Sequence, residues 1–223
     1  MAAIRVRYET IEFGDADIHV RALRDRQEFQ DPEGVASALG ICSASWPIFG
    51  TLWAAGLELA RVMYVHDIEG KRVLEVGCGL GVASLVLNHR GADITATDIH
   101  PEAEAFLAAN VALNAGPAIP FVRTSWQEED LELGRFDLII GSDLLYERPH
   151  AELLTSFIIR HARPQCEVII IDPGRGHGGA FKKAMDRVGF GVTEVRLGRK
   201  QQVEGIFRGT EFTFVRKPLP LTA

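Results

Sequence analysis

The sequence predicts an α/β fold: a doubly wound, mostly parallel sheet of seven strands whose last strand is antiparallel, preceded by a small β-hairpin. Three observations predict this fold. Five short runs rich in Val and Ile recur along the chain, and such runs are typical of strands buried on both faces of a parallel sheet. Helical segments separate these runs, which implies right-handed crossovers between parallel strands. The last two strand-like runs have no helix between them, so we expect them to pair as antiparallel neighbours.

The first 45 residues precede this alternation and are expected to form an appendage. Residues 5–13 and 18–23 have strand composition and flank Gly14-Asp15, a combination that suits a hairpin. Residues 30–45 mix turn formers with small residues and show no periodicity, which predicts a loop. The predicted units are a hairpin and loop at residues 1–45 and the main domain at residues 46–223.

A helix should follow the loop, and strands then alternate with helices. The apolar residues of this first helix recur on one helical face and predict a helix that covers the sheet and ends near residue 66; they are Leu52, Ala55, Leu59, Val62 and Met63. Trp53 lies within the same pattern and is expected in the core. The predicted strands of the sheet are residues 72–76, 93–97, 120–123, 136–140, 167–171, 192–197 and 210–216. The predicted helices between them are residues 82–89, 102–113, 150–161 and 179–188.

The composition is that of a globular chain of 223 residues, with 47% hydrophobic and 24% charged residues. Thirty acidic residues against 24 basic ones give a net charge of −6, which opposes attraction to a phosphate backbone, so no nucleic acid partner is expected. No apolar run approaches the roughly 18 to 20 residues that a membrane span needs, and the charged start does not resemble a signal peptide. We therefore expect a cytoplasmic protein without a membrane partner. The three cysteines form no CxxC pair, which argues against a disulfide framework and a metal site.

A glycine-rich loop between the first strand of the sheet and the next helix is the most informative segment. The sequence VLEVGCGLG runs from a buried strand into Gly77, Gly79 and Gly81 and then opens a helix. Glycines let the backbone turn tightly and approach a ligand, and a helix N-terminus offers free N–H groups. The next strand ends in Asp98, whose carboxylate can reach the two hydroxyls of a ribose. This pattern predicts a nucleotide-like ligand, either NAD or S-adenosylmethionine.

Two details favour S-adenosylmethionine. Position 82 is Val, so the G-x-G-x-x-G spacing of a pyrophosphate-binding loop is absent. Glu75 places a negative charge near the loop, which is unfavourable beside a pyrophosphate but favourable beside a cationic ammonium and sulfonium. The alternative for Glu75 is that it only caps a neighbouring amide. An NAD-dependent oxidoreductase stays open as an alternative function, although the sequence has no Tyr-x-x-x-Lys.

At these residues the chain resembles the class I, seven-strand S-adenosylmethionine-dependent methyltransferases, in a Rossmann-like fold that would cover roughly residues 46–216. VLEVGCGLG would be motif I, and TATD the acidic end of the second strand. After the fourth strand, Ser142 and Asp143 lie at a carboxyl end, with Tyr146 three residues further on. The segment Asp143-Leu144-Leu145-Tyr146 lacks the two prolines usual in enzymes that methylate bases. It resembles the Asp-x-x-Tyr signature of protein lysine methyltransferases, including those that act on the electron-transfer flavoprotein β subunit.

Two further segments resemble that group. Trp46-Pro47 is similar to the Trp-containing segment that precedes motif I and lies against the methionine end of the cofactor. The sequence DPGR at residues 172–175 is similar to the tetrapeptide that closes the fifth strand in the flavoprotein-type enzymes. Trp126 follows the third strand, where the group places a side chain against the adenine; ordinary loop packing is the alternative. The resemblance thus implies S-adenosylmethionine as cofactor and a binding set of Trp46, Glu75, Gly77, Cys78, Gly79, Gly81, Asp98, Ile99, Trp126 and Ser142.

The resemblance also implies a protein substrate whose lysine amine accepts the methyl group, with a small-molecule amine as the alternative acceptor. We expect Asp143 and the Tyr146 hydroxyl to be catalytic, holding the amine by hydrogen bonds so that its lone pair faces the methyl group. Asp143 could instead contact the methionine end of the cofactor, and the sequence leaves both roles open.

Overall fold

The computed structural model describes residues 4–129, 132–202 and 205–216 of the chain. The predicted N-terminal hairpin is confirmed: β1 (Val6–Phe13) and β2 (Ala16–Leu23) are antiparallel, and Phe13 pairs with Ala16 across the turn. Gly14 begins this turn with a φ of 61°, a conformation that glycine adopts without steric cost.

The segment between the hairpin and the sheet differs from the prediction in two ways. A short helix, α1 (Val35–Ala38), and a 3-10 turn (Ser43–Ser45) lie where a loop was expected. After a second 3-10 turn the chain is extended at Trp53, so helix α2 (Ala54–Val65) begins two residues after Leu52. The Trp53 indole N–H donates to the backbone oxygen of Ile48 at 2.9 Å, which holds this extended entry to the helix.

Strands and helices then alternate as predicted. Within the described residues, seven strands form one sheet in the order β5-β4-β3-β6-β7-β9-β8. The strands from β3 to β7 pair in parallel, whereas β9 lies between β7 and β8 and is antiparallel to both. The elements are β3 (Arg72–Val76), α3 (Val82–His89), β4 (Asp93–Asp98), α4 (Ala103–Leu113), β5 (Phe121–Arg123), β6 (Phe136–Ser142), α5 (His150–His161), β7 (Ala162–Asp172), α6 (Gly178–Arg187), β8 (Phe190–Gln202) and β9 (Gly205–Arg216).

The last three strands are longer than their apolar runs predicted. β7 begins at Ala162 rather than at residue 167, and β8 and β9 form a hairpin that continues past the apolar stretch. Backbone pairing sets these lengths, because a strand can continue through polar residues wherever a neighbouring strand supplies hydrogen bonds. An apolar run therefore gives a lower limit to the length of a strand.

The helices cover the sheet on both faces. Val73 of β3 packs with α2 and α3, whereas the next residue, Leu74, packs with α5 and α6, as expected for side chains that alternate across a central strand. Ile18 and Val20 of the N-terminal hairpin are fully buried in the same cluster as α2 and α3. The hairpin therefore shares a core with the sheet, and a domain boundary at residue 45 stays a prediction.

One segment has the length and apolar composition of a membrane span, which the sequence interpretation did not anticipate. Ser43–Val65 comprises 23 residues with a mean hydropathy of 1.3, which is long and apolar enough by composition alone. Half of its most apolar part is buried inside the protein, and the core helix of a soluble protein can have the same length and composition. The segment is weak evidence for a span.

Candidate active site

The carboxyl ends of β3, β4, β6 and β7 bring most of the predicted site residues to one edge of the sheet. The glycine loop follows β3, Asp98 ends β4, and Ser142 ends β6. Asp172 ends β7 beside them. Ligands of open α/β sheets bind at this edge, so the topology places the candidate residues where a site is expected.

The three glycines of the loop have the left-handed conformation that the predicted tight turn requires. Their φ angles are 62° at Gly77, 54° at Gly79 and 70° at Gly81. The space that a Cβ would enter is filled by protein: it would lie 2.6 Å from Leu144 at Gly77 and 3.0 Å from the Phe49 oxygen at Gly79. The tight turn that the sequence predicted is therefore present, and the glycines also permit close packing; their role in the approach of a ligand stays a prediction.

Asp98 ties the glycine loop to the end of β4. One carboxylate oxygen accepts from the backbone N–H of Gly79 at 2.8 Å, and the other accepts from that of His100 at 2.9 Å. Burial raises the pKa of Asp98 despite these hydrogen bonds. The next residue, Ile99, is 36% exposed and offers an apolar surface beside the carboxylate. The pair therefore presents an acceptor for hydroxyls next to a face suited to an aromatic ring.

Glu75 makes its contacts with helix α3. Its buried carboxylate accepts from the backbone N–H of Ser84 at 2.9 Å and from the Ser84 hydroxyl. Burial raises the pKa of Glu75 to about 7, so near neutral pH the group is only partly ionised. This is the capping role that the sequence left open as the alternative, and a role of Glu75 towards a ligand stays a prediction.

Asp143 and Arg175 form an ion pair that links two motifs. The Arg175 guanidinium donates to both Asp143 carboxylate oxygens, from Nε at 2.7 Å and from Nη2 at 2.6 Å. The Asp143 side chain is 12% exposed, against 43% for Arg175. Asp143 also has a φ of 54°, and its backbone N–H donates to Ile171 on β7 at 2.9 Å. The sequence showed both residues at the ends of neighbouring strands but did not reveal that they meet.

Tyr146 lies beside the pair with its ring 39% exposed. Desolvation raises its pKa to about 12, and the negative charges of Asp98, Glu147 and Asp143 act in the same direction. The phenol therefore keeps its proton at neutral pH. Its ring meets that of His150 edge to face at 4.5 Å between centroids.

His150 is a site residue that the sequence interpretation missed. Its Nδ1 lies 2.8 Å from the backbone oxygen of Leu144, an arrangement in which Nδ1–H donates. The ring also contacts Trp126 at 5.1 Å between centroids, so it connects Tyr146 with Trp126. Only its position at the start of α5, just after Tyr146, signalled this in the sequence.

The remaining predicted residues have mixed surroundings. The Trp46 indole N–H donates to the Ile41 oxygen at 3.1 Å, and Trp126 is half-buried. Cys78 is buried, and burial raises the pKa of its thiol. Trp53, which was expected in the core, is instead half-buried, with the Arg26 guanidinium 4.9 Å and that of Arg175 5.9 Å from its ring centre.

Comparison with known proteins agrees with this arrangement. The family described as lysine methyltransferase matches residues 45–178, which is more than half of the chain. The chain is 32% identical to the electron transfer flavoprotein beta subunit lysine methyltransferase of Xenopus laevis over 71% of its own length and 63% of that protein. It is 36% identical to the protein N-lysine methyltransferase METTL21A of Danio rerio over 48% of its own length and 50% of that protein. The chain thus spans less than two thirds of both relatives.

A solved structure with the same fold is magnesium protoporphyrin IX methyltransferase from Synechocystis PCC 6803, which was crystallised with bound S-adenosylmethionine. It superposes with a TM-score of 0.60 at 16% identity, over 85% of this chain and 98% of that one. The likeness confirms the predicted Rossmann-like methyltransferase fold. With the family match across the glycine loop, Asp143 and Arg175, it follows that the chain belongs to the lysine methyltransferase family.

Proposed function

We propose that this protein binds S-adenosylmethionine and transfers its methyl group to the amine of a lysine in a protein substrate. The observation that carries the proposal is the meeting of two groups at one edge of the sheet. One is the glycine loop tied to Asp98, and the other is Asp143 with Tyr146. The first suits the nucleoside part of a donor, and the second suits an acceptor amine.

The residues at this edge have the chemistry that S-adenosylmethionine requires. Asp98 supplies a carboxylate for the ribose hydroxyls, and Ile99 and Trp126 supply apolar faces for the adenine. When bound, the cofactor supplies an electrophilic methyl group on a positively charged sulfur. The methyltransferase of Synechocystis with the same fold binds this molecule, which supports it over NAD for this chain.

The acceptor amine must present a free lone pair. A lysine with a pKa of about 10.4 is neutral about once in 2500 molecules at pH 7, which corresponds to roughly 4.6 kcal/mol. Each Asp143 oxygen keeps a lone pair beyond the one that Arg175 uses, and the Tyr146 oxygen can also accept. Two N–H groups of a neutral amine held in this way leave its lone pair free to face the methyl group.

A protein lysine is favoured over a small-molecule amine by two observations. The relatives from Xenopus laevis and Danio rerio compared above are both named as lysine methyltransferases. In addition, Tyr146 and Arg175 are more than one third exposed, so a side chain carried on a macromolecule can reach them. A cytoplasmic location without nucleic acid or membrane partners belongs to the proposal and is supported by composition, above all by the net charge of −6.

The proposal is tested by incubating the protein with isotopically labelled S-adenosylmethionine and a native lysate, followed by mass spectrometry. We expect label on lysines of one or a few proteins. Label confined to small molecules would establish the alternative acceptor. Binding of NAD in place of S-adenosylmethionine in thermal shift measurements would overturn the proposal.

Two variants separate cofactor binding from transfer. Asp143→Ala should abolish labelling while calorimetry shows S-adenosylmethionine binding close to that of the wild type. Asp98→Ala should instead weaken that binding, by about 10-fold or more, because the loop and the ribose lose their shared acceptor. Equal losses of affinity in both variants would remove Asp143 from the catalytic residues.

A further inference from the structure

We propose that Arg175 is a positioning residue for methyl transfer, which fixes the Asp143 carboxylate and cancels its charge so that the site receives the acceptor amine in uncharged form. This inference rests on the proposed function and assigns a role to the last residue of the DPGR segment. It concerns how the site favours the small neutral fraction of an amine.

The first step is that both the backbone and the side chain of Asp143 are held in place. Its backbone N–H is bonded to Ile171 of β7, and its carboxylate is held by two parallel hydrogen bonds from Arg175. A left-handed φ is tolerated by Asp but needs such support to persist. The two-pronged guanidinium geometry fixes the plane of the carboxylate, which a lysine at position 175 could not do.

The second step is that the backbone places Arg175 for this contact. Gly174 and Gly176 flank it with φ angles of 88° and 96°, so the chain turns sharply on both sides. The backbone of Gly174 and Arg175 lies close enough to the buried Asp172 carboxyl to act against the rise in its pKa that burial causes. The two turns therefore place Arg175 so that its guanidinium reaches back to Asp143, directly after β6.

The third step concerns charge. A lone carboxylate next to an amine stabilises the ammonium form, which has no lone pair to attack a methyl group, and raises the pKa of the amine by about 1 to 3 units. A paired guanidinium cancels most of that field, yet leaves acceptor lone pairs on both oxygens. The Asp143–Arg175 pair can thus bind N–H groups without favouring the protonated amine.

Other charged groups around the pair do not replace this function. Arg26 approaches from the N-terminal segment on Trp53, and negative charges lie on the neighbouring strand ends and on the loop after β6. The titratable and charged groups that face the pair and Tyr146 are Arg26, Cys42, Asp98, Glu147, His150 and Asp172. Because carboxylates outnumber cations among these groups, loss of Arg175 leaves a field that favours the ammonium.

The same β6 strand offers a matched control at its other end. Arg163 donates to both oxygens of Asp137 at 3.0 and 2.9 Å, and its side chain is 43% exposed, as is that of Arg175. Substitution of Arg163 therefore breaks an ion pair whose arginine is as exposed as Arg175, without touching the carboxyl edge of the sheet.

The test measures labelled methyl transfer to total lysate protein between pH 6.5 and 9.5 for Arg175→Gln, Arg175→Lys and Arg163→Gln. The variant rate is divided by the wild-type rate at each pH, which cancels the ionisation of lysines outside the site. For Arg175→Gln we expect a ratio of about 0.1 or less at pH 7 that rises with pH. Arg175→Lys keeps the positive charge but loses the two parallel hydrogen bonds of the guanidinium, so its ratio should be below one and constant with pH. Arg163→Gln should stay near one.

Binding of S-adenosylmethionine, measured by calorimetry, should be unchanged in all three variants. A flat ratio for Arg175→Gln, or an equal loss of cofactor binding, overturns the inference and leaves the proposed function intact. A ratio above one also overturns it, because Arg175 would then occupy the place of the acceptor amine. A wild-type protein that labels no lysine overturns the proposed function and this inference together.

Discussion

Two carboxylates near the glycine loop have their acidity changed by burial, although their contacts differ. Asp98 bonds to backbone N–H groups on both sides and faces the candidate site, whereas Glu75 is fully withdrawn beneath α3. The sequence indicated that both carboxylates lie near the loop, because both are close to it along the chain. It could not show which way each side chain points, and that direction decides between a ligand contact and a helix cap.

Glu75 should make the stability of the protein depend on pH. Its pKa is about 7 in the folded protein, above the ordinary value of 4.5, so the folded state holds this proton more tightly than the unfolded chain. The contribution is complete below pH 4.5 and is lost as pH rises through about 7. The Glu75→Gln variant carries a neutral amide at every pH, so it does not lose this stabilisation as the pH rises. The unfolding free energy of the variant relative to the wild type should therefore rise by about 1 to 3 kcal/mol between pH 5 and pH 8.

Urea unfolding at the two pH values measures this difference. Glu69→Gln, which removes an exposed carboxylate, is the control and should follow the wild-type pH dependence. If Glu75→Gln also shows the wild-type pH dependence of the unfolding free energy, Glu75 is not the buried acid that the structure indicates.

The Asp143–Arg175 pair illustrates the same limit at the level of single residues. Asp143 and Tyr146 were predicted from one motif and Arg175 was noted in another, but their contact depends on β6 and β7 being neighbours in parallel register. His150 carried no recognisable pattern, because its role depends on rings contributed by two separate loops. Residue types at strand ends were predictable, whereas partners across strands required the structure.

At the scale of elements, the alternation of strands and helices followed from local periodicity, and the sheet order agreed with it. The start of α2 did not follow from periodicity, because Leu52 fits the helical pattern but lies in an extended stretch held by the Trp53 indole. The extra length of β7 and of the final hairpin was also not predictable, since backbone pairing rather than apolar composition determines it: Ala162 of β7 pairs with Phe136 of β6, and β8 pairs with β9 along the hairpin.

The glycine loop allows a prediction that separates backbone strain from packing. Gly77 and Gly91 both have left-handed φ angles, 62° and 73°. A Cβ at Gly77 would meet Leu144 at 2.6 Å, whereas one at Gly91 would meet no described atom within 4 Å. Gly91→Ala should cost about 1 kcal/mol of unfolding free energy from strain alone. Gly77→Ala should cost more and should also reduce methyl transfer, because Leu144 adjoins Asp143.

Chemical unfolding and the labelled-donor assay provide the two measurements. Gly91→Ala should retain wild-type transfer under conditions where it is folded. Equal stability losses with unchanged transfer in both variants would show that Leu144 moves aside without disturbing Asp143.

At the scale of the whole molecule, the N-terminal hairpin is joined to α4 and the glycine loop by two asparagines, Asn110 in α4 and Asn114 directly after it. Asn114 bonds to both the N–H and the oxygen of His19, much as a neighbouring strand would. Asn110 accepts from the Arg21 N–H at 2.6 Å and donates to the Leu80 oxygen in the glycine loop at 3.2 Å. The sequence indicated the hairpin but described it as an appendage, because side-chain amides that pair with a distant backbone leave no periodic signal.

These two asparagines make a matched pair for testing whether the hairpin supports cofactor binding. Asn110→Ala leaves the half-buried Arg21 N–H and the buried Leu80 oxygen without their partner, so we expect a loss of about 1 to 3 kcal/mol in unfolding free energy. Because Leu80 belongs to the loop, S-adenosylmethionine affinity should also fall, by about 3-fold or more. Asn114→Ala loosens the hairpin without touching the loop and should lower stability while affinity stays near wild type. Calorimetry and urea unfolding give both quantities, and equal affinities in the two variants would mean that the loop keeps its shape without the hairpin.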